Sequence, residues 1–322
     1  MNRLKYIKRL IAFYLPKKYR KKLQEKGLRQ TLTTYKKIAK ENKISREEIL
    51  GIFNQINVNS DVLLHTSEMN IGKFLFPKGD LIQILSEKVN LKENTLIVAS
   101  LSLSESMYDY IVRNGNRSYN VKESPIATGI INELFAHEKD AVRSLHPTHS
   151  AIAIGPRSKY YTDGHELDDT PFGQHSPWWK IIEQGGKLLM LGAPKNFTSI
   201  HAVEDAIGEE YPWKVYLRKK YAFDVTGYNN EHITVYTKCH NPLTTLARDG
   251  EIMDCFISDL RAKGFWESYP IGASEIALVD AKGFALTYLD WVDNGNSLYG
   301  RHCVSKSLHN KIMQIKNKIS LS

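Results

Sequence analysis

Residues 185–204 read Gly185-Gly186-Lys187-Leu188-Leu189-Met190-Leu191-Gly192-Ala193-Pro194-Lys195-Asn196-Phe197-Thr198-Ser199-Ile200-His201-Ala202-Val203-Glu204. The apolar run from Lys187 to Pro194 reads as a buried strand that ends in a loop. The segment after it reads as a helix start, in which His201 and Glu204, three residues apart, share one face. An imidazole with a carboxylate beside it is a usable base with its orienter. The carboxyl end of a strand in an α/β fold is where chemistry usually sits. The same spacing also fits an ordinary helix start with Glu204 near the positive end of the dipole.

Working outward, Asp61 to His65 reads as a second buried strand and Thr66 to Gly72 as the loop after it. Lys78-Gly79-Asp80 opens a helix that runs to about Val89. Asn94 to Ser100 and Ser150 to Gly155 read as strands, Gly129 to His137 as a helix, and Gln174 to Glu183 as a loop followed by a helix. His232 to Tyr236, Glu275 to Val279 and Phe284 to Leu289 are β-prone, and Leu308, Ile312, Ile315 and Ile319 have helical spacing. Strands alternating with helices argue for an α/β class with a β-rich insertion in the second half.

The charge is unevenly placed. Residues 1–40 hold 14 Lys and Arg against one acid, Glu25, so the rest of the chain carries a net −4 toward the total of +9. Nucleic-acid binding would need a basic stripe on the body, and the acidic balance there argues against it. Leu4, Ile7, Leu10, Ile11 and Tyr14 define one apolar helical face before Pro16 interrupts it. Lys17 to Lys40 continue as a basic helical segment, and Ser45-Arg46-Glu47-Glu48 resembles a capped helix start. These signals divide the chain into a basic amphipathic extension, 1–44, and a body, 45–322. Residues 1–40 suit either a peripheral contact with an anionic membrane surface or packing on the body or on a second subunit of a homodimer.

With 42% hydrophobic and 25% charged residues the composition is that of a globular protein. No run approaches the roughly 18 apolar residues of a membrane span. Three widely spaced cysteines, Cys239, Cys255 and Cys303, form no disulfide or metal pattern, which suits a reducing cytoplasm, with the inner face of the membrane as the site of any peripheral contact. His146 and His149 lack a third ligand at a metal-site spacing, so no metal is expected.

Five segments in this order carry a resemblance. They are Asp61-Val62-Leu63-Leu64-His65-Thr66-Ser67, Arg143 to Gly155 (Arg-Ser-Leu-His-Pro-Thr-His-Ser-Ala-Ile-Ala-Ile-Gly), Pro171-Phe172-Gly173-Gln174-His175-Ser176-Pro177, Gly185 to Gly192, and Thr198 to Glu204. Together, over roughly residues 45–300, the chain resembles the aminoglycoside 3-N-acetyltransferase family. The resemblance implies a mixed sheet flanked by helices and acetyl-CoA, or another acyl-CoA, as co-substrate for transfer to an amino group. It implies His201 as base and Glu204 as its partner. Thr66, Ser67 and Gly72 fall on the loop that meets coenzyme A; Ser102 and Ser104, by their alternation on one face of an extended segment, are expected along the pantetheine arm. His146 and Ser150 fall on the wall of the site; Phe172 and Ser176 are expected to shape it from another loop, and Asp205 adds an acid beside the pair. Glu68-Met69-Asn70-Ile71-Gly72 departs from the family, which often has a basic residue there.

Three readings of function follow. The first is an N-acyltransferase acting on an amino sugar, in surface-glycan biosynthesis, which the basic arm favours. The second is an aminoglycoside acetyltransferase that confers antibiotic resistance. Acids at Asp163, Glu166, Asp168 and Asp169 would suit its polycationic acceptor, and fit a solvated loop equally well. The third is a non-catalytic membrane- or partner-binding protein on the same fold.

Overall fold

The computed structural model describes residues 3–103, 105–195 and 197–321, with the backbone alone for Arg3. The strand expected in the opening stretch forms at Lys187–Leu191 and lies next to the central strand of a seven-stranded mixed sheet. It pairs in parallel with Val62–Thr66, which pairs in parallel with Leu96–Ala99. Ala151–Ile154 and then Val142–Arg143 extend one side antiparallel. Ser274–Asp280 and Trp266–Ile271 extend the other side, also antiparallel. Val62, Leu63, Leu64, Leu188, Leu189, Met190 and Leu191 are all buried. That is the pattern of strands covered on both faces.

Two apolar layers follow from this double burial. On one face Leu64, Leu189 and Leu191 pack against Leu81 and Leu85 of the Lys78–Val89 helix and Phe135 of the Ile130–Ala136 helix. On the other, Leu63, Leu188 and Met190 pack against Trp178, Val203, Phe284 and Tyr288. The β-rich insertion is a separate three-stranded sheet, in which Tyr216–Thr226 pairs antiparallel with His232–His240 and parallel with Ser118–Asn120.

One expectation is corrected. Phe284–Leu289 lies inside a helix, Ala281–Asp293, not a strand. The Asp280 side chain caps it by accepting the Gly283 N–H, and Ala281, Phe284, Ala285, Tyr288, Leu289 and Val292 all face the core. Aromatic and branched side chains gave a β-like local signal, and the three-and-four spacing of the buried positions overrides it.

The extension forms α1, Arg3–Tyr14, and α2, Lys17–Glu41, with Pro16 between them. Proline tolerates a helix start because its missing N–H has no intrahelical partner there. The Ser45 side chain and Glu48 form a reciprocal capping box that starts the Arg46–Gln55 helix. Polar contacts hold α1 on the body. Arg20, just beyond it, pairs with Asp109 at 2.6 Å, and Arg113 stacks on Phe13 and donates to its carbonyl at 2.8 Å. No helix among the described residues is long and apolar enough to cross a membrane.

Candidate active site

The loops that leave the two central parallel strands are tied to one another. Asn70 donates to the Ser67 hydroxyl at 2.8 Å and to the Gly192 carbonyl at 3.0 Å. Gly192 has φ +67°, and a Cβ there would lie 2.6 Å from the Ser67 carbonyl oxygen, so the turn requires glycine. From this turn the chain reaches a tight turn at Phe197–Ile200 and enters the Ile200–Ile207 helix. Ser199, at its start, bonds to His65 on the neighbouring strand at 3.2 Å. Ile200, Ala202, Val203 and Ile207 anchor the helix in the core.

His201 and Glu204 meet as their spacing implied. The His201 Nδ1–H donates to Glu204 Oε2 at 2.6 Å, which fixes the tautomer and leaves Nε2 as the acceptor. Three phenols satisfy the carboxylate. Tyr211 and Tyr288 each donate to Oε1 at 3.0 Å, and Tyr299 donates to Oε2 at 3.2 Å. Arg248 contacts the His201 Nε2 through its Nη2. Burial works to raise the Glu204 pKa, but His201, Arg248 and the Tyr211 hydrogen bond hold it below the usual carboxylate range. For His201, burial and then Arg248 outweigh the pull of Glu204, so its pKa falls below that of an ordinary imidazole. The ring is therefore neutral near pH 7, as a base must be.

Two cavities border this pair. One of about 200 Å³ is walled by His201, Arg248, Thr198, Phe197, Lys195 and Met253. Another of about 660 Å³ is walled by Glu204, Asp205, Tyr211, Tyr216, Asp169 and Lys238.

Among the wall residues, Phe172 and Asp205 join the pair. The Phe172 ring lies 5.2 Å from the His201 ring, and its N–H donates to Asp205 at 3.2 Å. Burial pushes the Asp205 carboxyl up to about 8, against hydrogen bonds from Thr170 and Tyr216. The other sequence-derived positions have structural partners. His146 stacks on His165 at 4.6 Å. The Ser150 hydroxyl donates to the Ser100 carbonyl at 2.7 Å and accepts from Arg143. Ser176 caps the Pro177–Glu183 helix. Thr66 donates to Asn132 at 3.0 Å. Ser102 accepts from Arg143 at 3.2 Å. Gly72 is packed against the extension, since a Cβ would lie 2.5 Å from the Asn42 carbonyl oxygen. Ser104 lies outside the described residues.

The acidic loop is partly neutralised internally. Asp168 pairs with His175 at 2.9 Å, and Asp169 pairs with Lys220 at 2.7 Å and Lys238 at 3.3 Å. Among the described residues, no group of three or more His, Cys, Asp or Glu is placed to hold a metal ion. Sequence reasoning missed Arg248, His240 (ring 5.4 Å from His201) and the three phenols. None of them belongs to a local pattern.

The sequence pattern of the aminoglycoside 3-N-acetyltransferase family matches residues 63–293. Over 178 residues the chain is 28% identical to aminoglycoside N(3)-acetyltransferase VIII of Streptomyces fradiae, covering 54% of this chain and 61% of that relative. The chain thus matches about three fifths of the length of this curated relative. Among solved structures, AAC-IIIb in its binary complex with CoASH superposes with a TM-score of 0.64 at 21% identity, over 79% of this chain and 97% of that one. Sisomicin-bound AAC-VIa superposes at 0.63 and 20% identity, over 80% of this chain and 100% of that one. These likenesses establish a shared fold. With the match to residues 63–293 they place the chain in the aminoglycoside 3-N-acetyltransferase family.

Proposed function

We propose that this chain transfers an acetyl group from acetyl-CoA to an amino group of an aminoglycoside-type amino sugar. The observation that carries the reading is the buried His201–Glu204 pair, with His201 among the residues that wall a cavity, inside the segment that matches the family. His201 takes the proton of the attacking amine. Glu204 holds the ring in the correct tautomer and stabilises the imidazolium as it forms. The relatives named above are aminoglycoside acetyltransferases, and their names favour a resistance enzyme over a role in surface-glycan biosynthesis. Residues 45–322 form the acyltransferase domain in this reading, and residues 1–44 its extension.

The test is a mass-spectrometric screen of aminoglycosides and free amino sugars with acetyl-CoA and longer acyl-CoA donors, read together with free thiol release. Acceptor-dependent thiol release and a product heavier by one acetyl group are expected. Absence of transfer to every amine offered would reject the reading.

A second observation supports a peripheral contact. α1 exposes Leu4, Ile7, Ile11 and Tyr14 at 58, 41, 59 and 68%, and 14 cations lie within residues 1–40. Apolar anchors beside basic residues suit an anionic lipid surface. Salt-sensitive sedimentation with phosphatidylserine vesicles, lost on removing residues 1–40, is the expected result, and equal binding to neutral vesicles would reject it.

A further inference from the structure

The acceptor nitrogen of His201 is covered although the residue walls a cavity. The Arg248 guanidinium sits on His201 Nε2, where the lone pair that must receive the amine proton points. Its Nε is buried and has no hydrogen-bond partner among the described residues. It makes no ion pair with a carboxylate among the described residues; Glu204, whose charge raises the Arg248 pKa, is bonded to the other nitrogen of the imidazole. The Tyr299 ring centroid lies 6.0 Å from the guanidinium carbon, and its phenol hydrogen-bonds the guanidinium. A largely buried cation with an unpartnered Nε and no direct counter-ion is costly, unless negative charge appears beside it at some point in the reaction.

The backbone that carries Arg248 is held from the extension. Arg9 of α1 donates through one nitrogen to the carbonyls of Leu246, at 3.0 Å, and of Arg248 itself, at 2.8 Å.

We infer that Arg248 is a third catalytic residue of this chain, one that occupies the amine position on His201 Nε2 in the resting enzyme and stabilises the tetrahedral oxyanion during transfer. The inference rests on acyl transfer at His201, as proposed above. The nitrogen that attacks must lie where Arg248 Nη2 now lies. The thioester carbonyl carbon becomes bonded to that nitrogen, and its oxygen is two bonds away. A guanidinium displaced by one atom's width therefore faces that oxygen.

The step balances as follows. The amine lone pair forms the C–N bond, and the C=O π pair moves onto oxygen, where Arg248 meets it. The amine proton goes to His201 Nε2. Collapse restores C=O, breaks the C–S bond and sends its electron pair to sulfur, which takes the proton from the imidazolium and leaves as the thiol.

The experiment compares full-length wild type with Arg248→Ala and Arg248→Lys, using acetyl-CoA and an acceptor that the wild type acetylates. Removing one oxyanion donor typically costs about 10²–10³-fold in kcat, so that loss is expected for Arg248→Ala, with the KM for acetyl-CoA within a few-fold of wild type. Arg248→Lys should keep an intermediate rate, and added methylguanidine should restore part of the alanine variant's rate. The acid limb of its pH profile should move to higher pH, because a positive charge that depresses His201 is gone. Thermal melts establish that each variant is folded, and Arg248→Gln replaces the alanine variant if that one does not fold.

A folded Arg248→Ala enzyme with kcat equal to or above wild type would overturn the proposal, since the guanidinium would then only obstruct the base. If the wild type acetylates no amine, the function reading fails on its own. Arg248 is then judged by the slow hydrolysis of acetyl-CoA, which passes through the same type of oxyanion. Slower hydrolysis in Arg248→Ala supports the role, and equal hydrolysis overturns it.

Discussion

Two groups of buried histidines lie within one layer of side chains of each other, and their partners differ. His201 has a carboxylate on one nitrogen and a guanidinium on the other. His146, His149 and His165 have hydroxyls, backbone groups and each other. His165 bonds Ser144 at 2.9 Å and the Pro171 carbonyl at 2.9 Å, and His149 bonds Thr148 at 3.0 Å. Burial drives His149 and His165 down to about 3, with no acid to oppose it. A buried imidazole becomes a usable base when a paired carboxylate offsets part of its desolvation and the residue walls a cavity, as His201 does. Without these it is a core residue with a polar edge.

The comparison is broken most severely at His201. His201→Ala is expected to lower kcat by at least about 10², with little change in the affinity for acetyl-CoA; full activity by thiol release would equate the two groups. Glu204→Gln should cost less, about tenfold to 10². It removes the one charge that raises the His201 pKa, so the acid limb of the rate profile should move to lower pH, opposite in sign to Arg248→Ala. An unmoved limb would deny Glu204 its role.

His165→Ala should act on stability instead, by about 2–4 kcal/mol for the lost packing and hydrogen bonds. Urea midpoints should fall while kcat changes less than about fivefold. A subtler consequence is acid lability. His65 titrates at about 4 and His149 and His165 at about 3 when folded, against about 6.5 when unfolded. The folded chain binds fewer protons below that value, so stability is full above about pH 6.5 and falls as the pH drops toward 3. A flat urea midpoint across that window would show that these imidazoles are hydrated.

The sheet was legible because its strands are short apolar runs with punctuation, as at Lys187–Leu191 and Val62–Thr66. The His201–Glu204 pair was legible because both residues lie on one helix turn. Arg248 was not. It sits between the Pro242–Leu246 and Gly250–Ala262 helices, 47 residues from the His201 ring it touches, and nothing local marks it. Tyr211, Tyr288 and Tyr299 converge on one carboxylate from three separate segments, a meeting that only the tertiary fold creates. Gly72 and Ser102 show the reverse case. A glycine or serine after a strand invites a ligand reading, and here the Asn42 backbone and the Arg143 side chain fill that space. The family resemblance supplied the reaction class. It could not supply the extension, which lies outside the matched 63–293.

The two hydrogen bonds from Arg9 to the Leu246 and Arg248 carbonyls give the extension a mechanical meaning. A load applied to α1 would reach, through Arg9, the peptide unit that carries the guanidinium. If Arg248 acts as proposed, the extension becomes a lever arm on the guanidinium beside His201.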